Sequence, residues 1–235
     1  MTRDLLARLR SDVAAKRPVV LATVLATGEG RLIHPFDDSG ASDPLLAEAR
    51  QAAGRDQSGV VETPAGEVFL RVFNPPVRLV IVGAVHVAQA LAPMARLAGY
   101  DVLVVDPRRS FATEERFPGI PLSHEWPDEA MARLGLDRRA AVVTMSHDSK
   151  IDDPALAAAL RSQAFYVGAL GSKKTQAARR ERLRQMGFGD ADLSRIHGPV
   201  GLPLGAVSTG EIATAILSEL VGCLRRPVGA AGASA

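Results

Sequence analysis

From Val77 onward, the chain alternates short apolar runs with segments of helical periodicity. The runs are rich in Val, Ile, Leu and Ala and have the length of strands, and the segments between them are amphipathic. Apolar strands separated by helices are typical of a parallel sheet covered on both faces. We therefore predict a doubly wound α/β domain with strands VRLVIVG, DVLVVD, AAVVTM and AFYVGAL and helices near 86–98, 127–135, 154–161 and 173–186.

The first part of the chain has a different pattern. Apolar residues at helical spacing predict a helix over 3–15, and the run PVVLATVLA after it has the length of a strand. A segment rich in Gly, Asp and Ser precedes a short helix at 44–53, and SGVVETPAGEVFLRVFNPP resembles a hairpin that turns at 64–66. Asn74-Pro75-Pro76 continues neither a strand nor a helix. We predict a small α/β domain over 1–74, the doubly wound domain over 77–225 and a flexible tail over 226–235.

Charge is clustered along the chain. The net charge is only +2, but KKTQAARRERLR, from Lys173 to Arg184, concentrates basic residues in one segment. Such a segment favours an anionic ligand or an acidic partner surface. Nucleic acid is the less favoured anion, because the chain has only ten aromatic residues and no evident platform for stacking bases.

The cysteine count and the amino terminus bear on the compartment. One cysteine, Cys223, excludes an internal disulfide and a multi-cysteine zinc site, which favours a reducing compartment such as the cytoplasm. The first 18 residues are charged throughout, without the apolar core of a signal peptide. A membrane-spanning helix needs about 18 or more consecutive apolar residues, and no segment of this chain has them. We expect neither export nor membrane insertion.

The first candidate site is the turn after the strand VRLVIVG. Gly83, Val85 and Ala88 stand where a dinucleotide-binding fingerprint has its three small residues, and Asp106 follows Gly83 by 23 positions, as a ribose-binding acid would. Val85 would crowd a pyrophosphate, and a backbone conformation restricted to glycine would add to that cost. Bound NAD(P) and a tight turn without a nucleotide both remain open. His86 either contacts a phosphate or lies at the surface.

The second candidate site is VGALGSKKT. Two glycines bend the chain after a strand, Ser172 can cap the next helix, and Lys173 and Lys174 begin it. Backbone N–H groups, the helix dipole and two cations would then converge on one point, which suits a phosphate. An ordinary capped helix with solvated lysines remains the alternative.

The third candidate site is TMSHDSKIDDPAL. His147 and Asp148 follow a parallel strand at the edge where doubly wound sheets bind ligands, so they are ligand contacts or a proton-transfer pair. We interpret Asp153 and Pro154 as the N-cap and first residue of the next helix. No third ligand has a spacing typical of a metal site.

These motifs, in this order, resemble the XdhC/CoxI family of accessory proteins for molybdenum hydroxylases such as xanthine dehydrogenase and carbon monoxide dehydrogenase. The resemblance covers about residues 77–221. It implies a Rossmann-like carboxyl domain joined to a smaller α/β amino domain. It also implies a non-catalytic homodimer that binds the molybdenum cofactor, aids its sulfuration together with a cysteine desulfurase, and delivers it to the apo-hydroxylase.

The resemblance also assigns the cofactor contacts, with two departures. Val85 replaces a family glycine, and the amino domain lacks the glycine-flanked cysteine of many relatives, which would be expected between Gly28 and Asp43. The molybdenum cofactor ends in a single phosphate, or carries an added nucleotide in some enzymes. A monophosphate needs less room than a pyrophosphate, so Val85 argues against a dinucleotide such as NAD(P), and thus against an oxidoreductase, more than against every ligand. The implied contacts are Gly83, Ala84, Val85, His86, Asp106, Arg108, His147, Asp148, Gly168, Gly171, Ser172, Lys173 and Lys174.

Overall fold

The computed structural model describes residues 2–37, 43–64 and 66–225. The contacts of these described residues divide them into two compact units, one formed by Pro76–Cys223 and the other by those up to Pro75 together with Leu224 and Arg225. The segment proposed as a flexible tail, 226–235, lies outside the described residues. None of the helices in the described ranges is long and apolar enough to cross a membrane.

The amino unit is a four-stranded antiparallel sheet with two helices. The predicted hairpin is present as β3 (Gly59–Thr63) and β4 (Gly66–Phe73). Ala49 and Ala53 of α2 (Leu46–Arg55) pack in one core with Val20 and Leu70 of the sheet. One strand, β2, was not predicted, because Ile33 is its only fully buried residue and the segment lacks an apolar alternation. The strand order is β2-β1-β4-β3. The elements are α1 (Arg3–Ala14), β1 (Val19–Val24), β2 (Gly30–Ile33), α2 (Leu46–Arg55), β3 (Gly59–Thr63) and β4 (Gly66–Phe73).

The carboxyl unit is a six-stranded parallel sheet flanked by helices, which confirms the predicted fold class. All four predicted strands are present, and two strands of two residues each extend the edges of the sheet. The elements are β5 (Arg78–Val82), α3 (His86–Leu97), β6 (Asp101–Val105), β7 (Leu122–Ser123), α4 (Pro127–Leu134), β8 (Ala140–Thr144), α5 (Ser149–Arg161), β9 (Tyr166–Ala169), α6 (Lys173–Gln185), α7 (Asp190–Ser194), β10 (Ile196–His197) and α8 (Thr209–Arg225).

The strand order of this sheet is β10-β9-β8-β5-β6-β7. After β5 the chain adds β6 and β7 on one side, and it then crosses over to add β8, β9 and β10 on the other. The order therefore reverses between β5 and β8. In open α/β sheets, ligands bind outside the carboxyl ends of the strands at such a reversal.

The start of α5 differs from the prediction. The helix begins at Ser149, and Asp148 is its N-cap, with a carboxylate oxygen that accepts the Lys150 N–H at 2.9 Å. The assignment of Asp153 and Pro154 as N-cap and first residue was wrong, since both lie inside the helix. An Asp-Pro pair is typical of a helix start, but here the earlier Asp148 caps the helix instead.

Candidate functional site

Four turns lie side by side at the carboxyl edge of the sheet, because β9, β8, β5 and β6 are neighbours in that order. They contain most of the residues that the resemblance assigned to the cofactor. The exceptions are Gly168, which is buried within β9, and His86, Lys173 and Lys174, which lie at the starts of the helices after two of the turns. A Cβ on Gly168 would lie 2.6 Å from Val200 Cγ2, so the absence of a side chain there serves packing. The turns are 83–85, 106–108, 146–148 and 170–172.

The turn after β5 requires glycine at its first position. Gly83 has a φ of +104°, and a Cβ there would lie 2.6 Å from the backbone N of Ser146, in the turn after β8. Val85 has a φ of −96° and a ψ of 175°, an extended conformation open to any residue. The extra cost of a backbone conformation restricted to glycine therefore does not arise at Val85. Val85 is half-buried and His86 is exposed, and among the described residues no side chain caps the first turn of α3.

Asp106 is fully buried, and the chain itself fills its acceptor positions. One oxygen, Oδ2, accepts the Ala84 N–H at 2.8 Å and Arg108 Nη2 at 2.7 Å. The other, Oδ1, accepts the Arg108 N–H at 3.0 Å and Arg108 Nε at 2.9 Å. Burial raises the pKa of Asp106, but the hydrogen bonds from Arg108 and Ala84 outweigh it and the net shift is downward. A carboxylate has about four acceptor positions, so none is left for a ribose hydroxyl.

The turn after β8 is held by its own side chains. Asp152 Oδ1 accepts the Ser146 hydroxyl at 2.7 Å and the Ser146 N–H at 3.2 Å. His147 is exposed and has a φ of +62°, a left-handed conformation that is uncommon for residues other than glycine. Asp148 caps α5, and within the described residues no hydrogen bond joins it to the His147 ring. The two side chains are therefore not arranged as a proton-transfer pair.

A buried ion pair connects this turn to α6. Arg179 is 2% exposed, and its Nη2 lies 3.3 Å from Asp152 Oδ2 and 3.2 Å from the Leu170 carbonyl oxygen. Its Nη1 donates to Gln176 Oε1 at 2.7 Å. Burial raises the pKa of Asp152 and lowers the pKa of Arg179. Both changes have the same cause, because removing the pair from water disfavours the charged form of each side chain. Sequence reasoning missed this pair, because Arg179 belongs to a basic run that suggests an exposed helix face.

The start of α6 is the open part of this edge. The Ser172 hydroxyl accepts the Thr175 N–H at 3.2 Å, which caps one of the free N–H groups of the first turn. Lys173 and Lys174 are exposed, and across the described ranges neither ammonium has an ion-pair partner and neither backbone N–H has an acceptor in the chain. Phosphate and carboxylate groups bind at such helix starts. No cluster of three or more metal-ligating side chains is present in the described part of the chain.

Comparison with known proteins identifies the family of this domain. The family model of the XdhC Rossmann domain matches residues 79–220, which is more than half of the chain. The chain belongs to the XdhC family. The resemblance noted from the sequence motifs is thereby confirmed, and all four turns fall within the matched XdhC segment.

The XdhC relatives include proteins with named roles. The chain is 32% identical over 148 residues to the molybdenum cofactor insertion chaperone PaoD of Escherichia coli K12, covering 63% of this chain and 40% of PaoD. It is 28% identical over 160 residues to a probable xanthine dehydrogenase subunit from Bacillus subtilis 168, covering 68% of this chain and 46% of that protein. The E. coli protein YqeB is 31% identical over 179 residues, 76% of this chain and 33% of YqeB. The chain thus spans less than half the length of these relatives.

A solved structure supports the fold of the XdhC chain. A xanthine dehydrogenase from Bacillus halodurans superposes with a TM-score of 0.68, and the match covers 98% of this chain and 66% of that protein. The sequence identity is 24%, so this likeness concerns the fold alone.

Proposed function

We propose that this chain is an accessory protein that carries the molybdenum cofactor and delivers it to a molybdenum hydroxylase of the xanthine or carbon monoxide dehydrogenase type. Family membership and the names of PaoD and the B. subtilis relative support the role. The structural observation that carries the proposal is the open, doubly cationic start of α6, at the sheet edge where ligands of this fold bind.

The residues at this helix start fit a terminal phosphate. Lys173 and Lys174 would supply two ammonium charges, and their backbone N–H groups would donate along the positive end of the helix dipole. Gly171, with a φ of +137°, bends the chain into the helix and leaves the phosphate position uncovered by a side chain of its own. We propose that the remainder of the cofactor lies toward the exposed His147 and the uncapped start of α3 at Val85 and His86.

A dinucleotide fits this edge less well. The acid that would bind a ribose hydroxyl, Asp106, already accepts four hydrogen bonds from Ala84 and Arg108. The Val85 side chain adds bulk where a pyrophosphate would approach the turn. We therefore rank an NAD(P)-dependent oxidoreductase second.

The bound cofactor would bring the molybdenum and dithiolene chemistry of the hydroxylase, and the chain's task would be to bind and orient it. The partners we propose are the apo-hydroxylase, a cysteine desulfurase that sulfurates the cofactor, and a second copy of this chain. The compartment we propose is the cytoplasm, in agreement with the single cysteine.

Cofactor retention tests this function. Purified protein is mixed anaerobically with freshly released molybdenum cofactor and desalted, and molybdenum and pterin are assayed, with NAD and NADP as parallel ligands. We expect about one molybdenum and one pterin per chain for the carrier. Retention of NAD or NADP without molybdenum would overturn the proposal in favour of an oxidoreductase, and retention of no ligand would overturn it altogether.

A charge-matched pair of variants tests the phosphate position. Lys173→Ala/Lys174→Ala should weaken cofactor binding at least about tenfold, since each charge-assisted hydrogen bond contributes about 1.5–3 kcal/mol. Arg180→Ala/Arg184→Ala removes two positive charges later in the same helix and should retain the cofactor. Equal losses in both double variants would mean that only the general charge of α6 matters, which contradicts a phosphate at the helix start.

A further inference from the structure

A second group of reactive side chains lies in β9, β10 and α8, apart from the four turns. It consists of Tyr166, His197, Glu219 and Cys223, and we call it the thiol cluster. None of its members belongs to a candidate site singled out in the sequence, and Cys223 lies beyond the segment matched by the XdhC family model. Cys223 is the only cysteine of the chain and is half-buried.

The imidazole of His197 lies between a carboxylate and the thiol. Its Nδ1 is 3.0 Å from Glu219 Oε1, and its Nε2 is 3.9 Å from Cys223 Sγ. The Tyr166 ring stacks on the imidazole at a centroid distance of 4.5 Å. Because Glu219 and Cys223 contact opposite nitrogens, they do not converge on a metal position. The arrangement is that of a nucleophile, an imidazole beside it that can hold a proton, and a carboxylate that orients the imidazole.

Glu219 is fixed from two further directions. Its Oε2 accepts the Tyr166 hydroxyl at 2.5 Å and the Gly201 N–H at 2.8 Å. These donors, together with His197, lower the pKa of Glu219 against the opposing effect of burial. Burial also lowers the pKa of His197, but its hydrogen bonds to Cys223 and Glu219 outweigh burial and raise it to about 9. At neutral pH, the sulfur therefore faces an imidazolium at 3.9 Å.

We propose that Cys223 is the nucleophile of a second site, which reacts with small disulfides, and that His197 and Glu219 position and activate its sulfur. The Cys223 thiolate attacks one sulfur of a disulfide RSSR, and a mixed disulfide Cys223–S–S–R forms as the RS–SR bond breaks. The leaving RS⁻ takes the proton that His197 holds, so the products are the mixed disulfide and RSH. Cys223 is oxidised and the departing sulfur is reduced, with no further reactant.

One observation and one chemical requirement favour a disulfide over an acyl substrate. Acyl transfer needs N–H groups aimed at a developing oxyanion, and the Gly201 N–H of this cluster is already bound to Glu219. Disulfide exchange needs only a thiolate, a leaving thiol and access. Since the chain has no second cysteine to resolve the product, the mixed disulfide persists until an external thiol reverses it. Cys223 would thus hold one small thiol as a reversible mixed disulfide.

The single cysteine makes the test direct, because every reaction of the chain with a disulfide reports on Cys223. The rate with 4,4′-dithiodipyridine at pH 6 is measured for the native chain and for the same chain unfolded in guanidinium chloride, with a cysteine peptide correcting for solvent. We expect the native chain to react at least about tenfold faster, because an ordinary thiol with a pKa of about 8.5 is almost fully protonated at pH 6. Glutathione disulfide should give a single glutathione adduct in the intact mass. A native rate equal to or below the unfolded rate would overturn the proposal.

Variants separate activation from folding. His197→Gln should lower the pH 6 rate to that of the unfolded chain, because the sulfur then has no cationic neighbour. Glu219→Gln should give an intermediate rate. His124→Gln, at an exposed site in the β7–α4 connection, is the control and should react like the native chain. A His197→Gln variant that reacts at pH 6 as fast as the native chain would show that His197 does not activate Cys223.

Discussion

The turns after β6 and β9 lie at the same edge of one sheet, but they differ in how the chain satisfies its own polar groups. After β6, Asp106 is fully buried and accepts four hydrogen bonds from Ala84 and Arg108. After β9, Lys173 and Lys174 are exposed, and within the described ranges nothing in the chain pairs with their charges. At a ligand-binding edge, a polar side chain whose hydrogen-bonding groups are all used within the chain stabilises the fold. A polar side chain without partners in the chain is available to a ligand.

The strongest test of this comparison removes one partner of the buried pair that joins the turn after β8 to α6. Arg179→Met leaves the Asp152 carboxylate buried without its cation, and we expect a loss of about 3–5 kcal/mol in the free energy of unfolding, measured in urea. Arg182→Met removes a cation from the partly exposed pair with Asp153 on the same helix and should cost about 1 kcal/mol or less. Equal losses would show that burial does not distinguish the two pairs.

A second substitution then separates the charge from the hydrogen bonds. Asp152→Asn keeps an oxygen that can accept from Ser146 but removes the buried charge, so Arg179→Met/Asp152→Asn should recover part of the stability lost in Arg179→Met. The deficit of Arg179→Met should also shrink as the pH falls. Burial raises the folded-state pKa of Asp152, and protonation below that pKa favours the folded chain. A deficit that is constant with pH would contradict an uncompensated carboxylate.

The next largest effect concerns the contact between the turns after β5 and β8. Gly83→Ala places a Cβ 2.6 Å from Ser146 N at a φ of +104°, and we expect a loss of about 2–4 kcal/mol in urea unfolding. Gly135→Ala is the matched control, since Gly135 has a φ of +56° with nothing within 4 Å of the added Cβ, and it should lose only about 1 kcal/mol. If the two losses are equal, backbone strain explains Gly83, and the close approach of the two turns does not.

The sequence was sufficient to predict the doubly wound sheet, because a strand buried on both faces is a continuous apolar run that can be read locally. It was also sufficient to predict that Asp106 ends a strand at the ligand-binding edge. The role of Asp106 could not be predicted, since whether its oxygens are free depends on the Ala84 N–H, which a separate turn brings within 2.8 Å. The Asp152–Arg179 pair was missed because Arg179 stands in a basic run typical of an exposed helix face, whereas packing in the fold buries it.

The thiol cluster was equally inaccessible to pattern reasoning. Tyr166, His197 and Cys223 come from three elements and have no characteristic spacing, so only the packing of α8 against β9 and β10 brings them together. The only signal in the sequence was that Cys223 is the single cysteine of the chain.

The smallest expected loss of stability tests the turn after β6, where the chain satisfies the Asp106 carboxylate itself. Asp106→Asn puts an N–H₂ group where an oxygen now accepts, so it opposes a donor of Ala84 or Arg108 in either amide orientation, and we expect a loss of about 2 kcal/mol. Glu125→Gln, in an exposed pair with Arg133, is the control and should leave stability unchanged. The folded-state pKa of Asp106 lies below its ordinary value of 3.8, so the advantage of the native chain over Asp106→Asn should be complete above about pH 5 and lost as the pH falls through the folded-state pKa. If the native chain keeps its advantage in acid, the hydrogen bonds of Asp106 do not depend on its ionised carboxylate. The charge of Asp106 would then not be what stabilises the turn after β6.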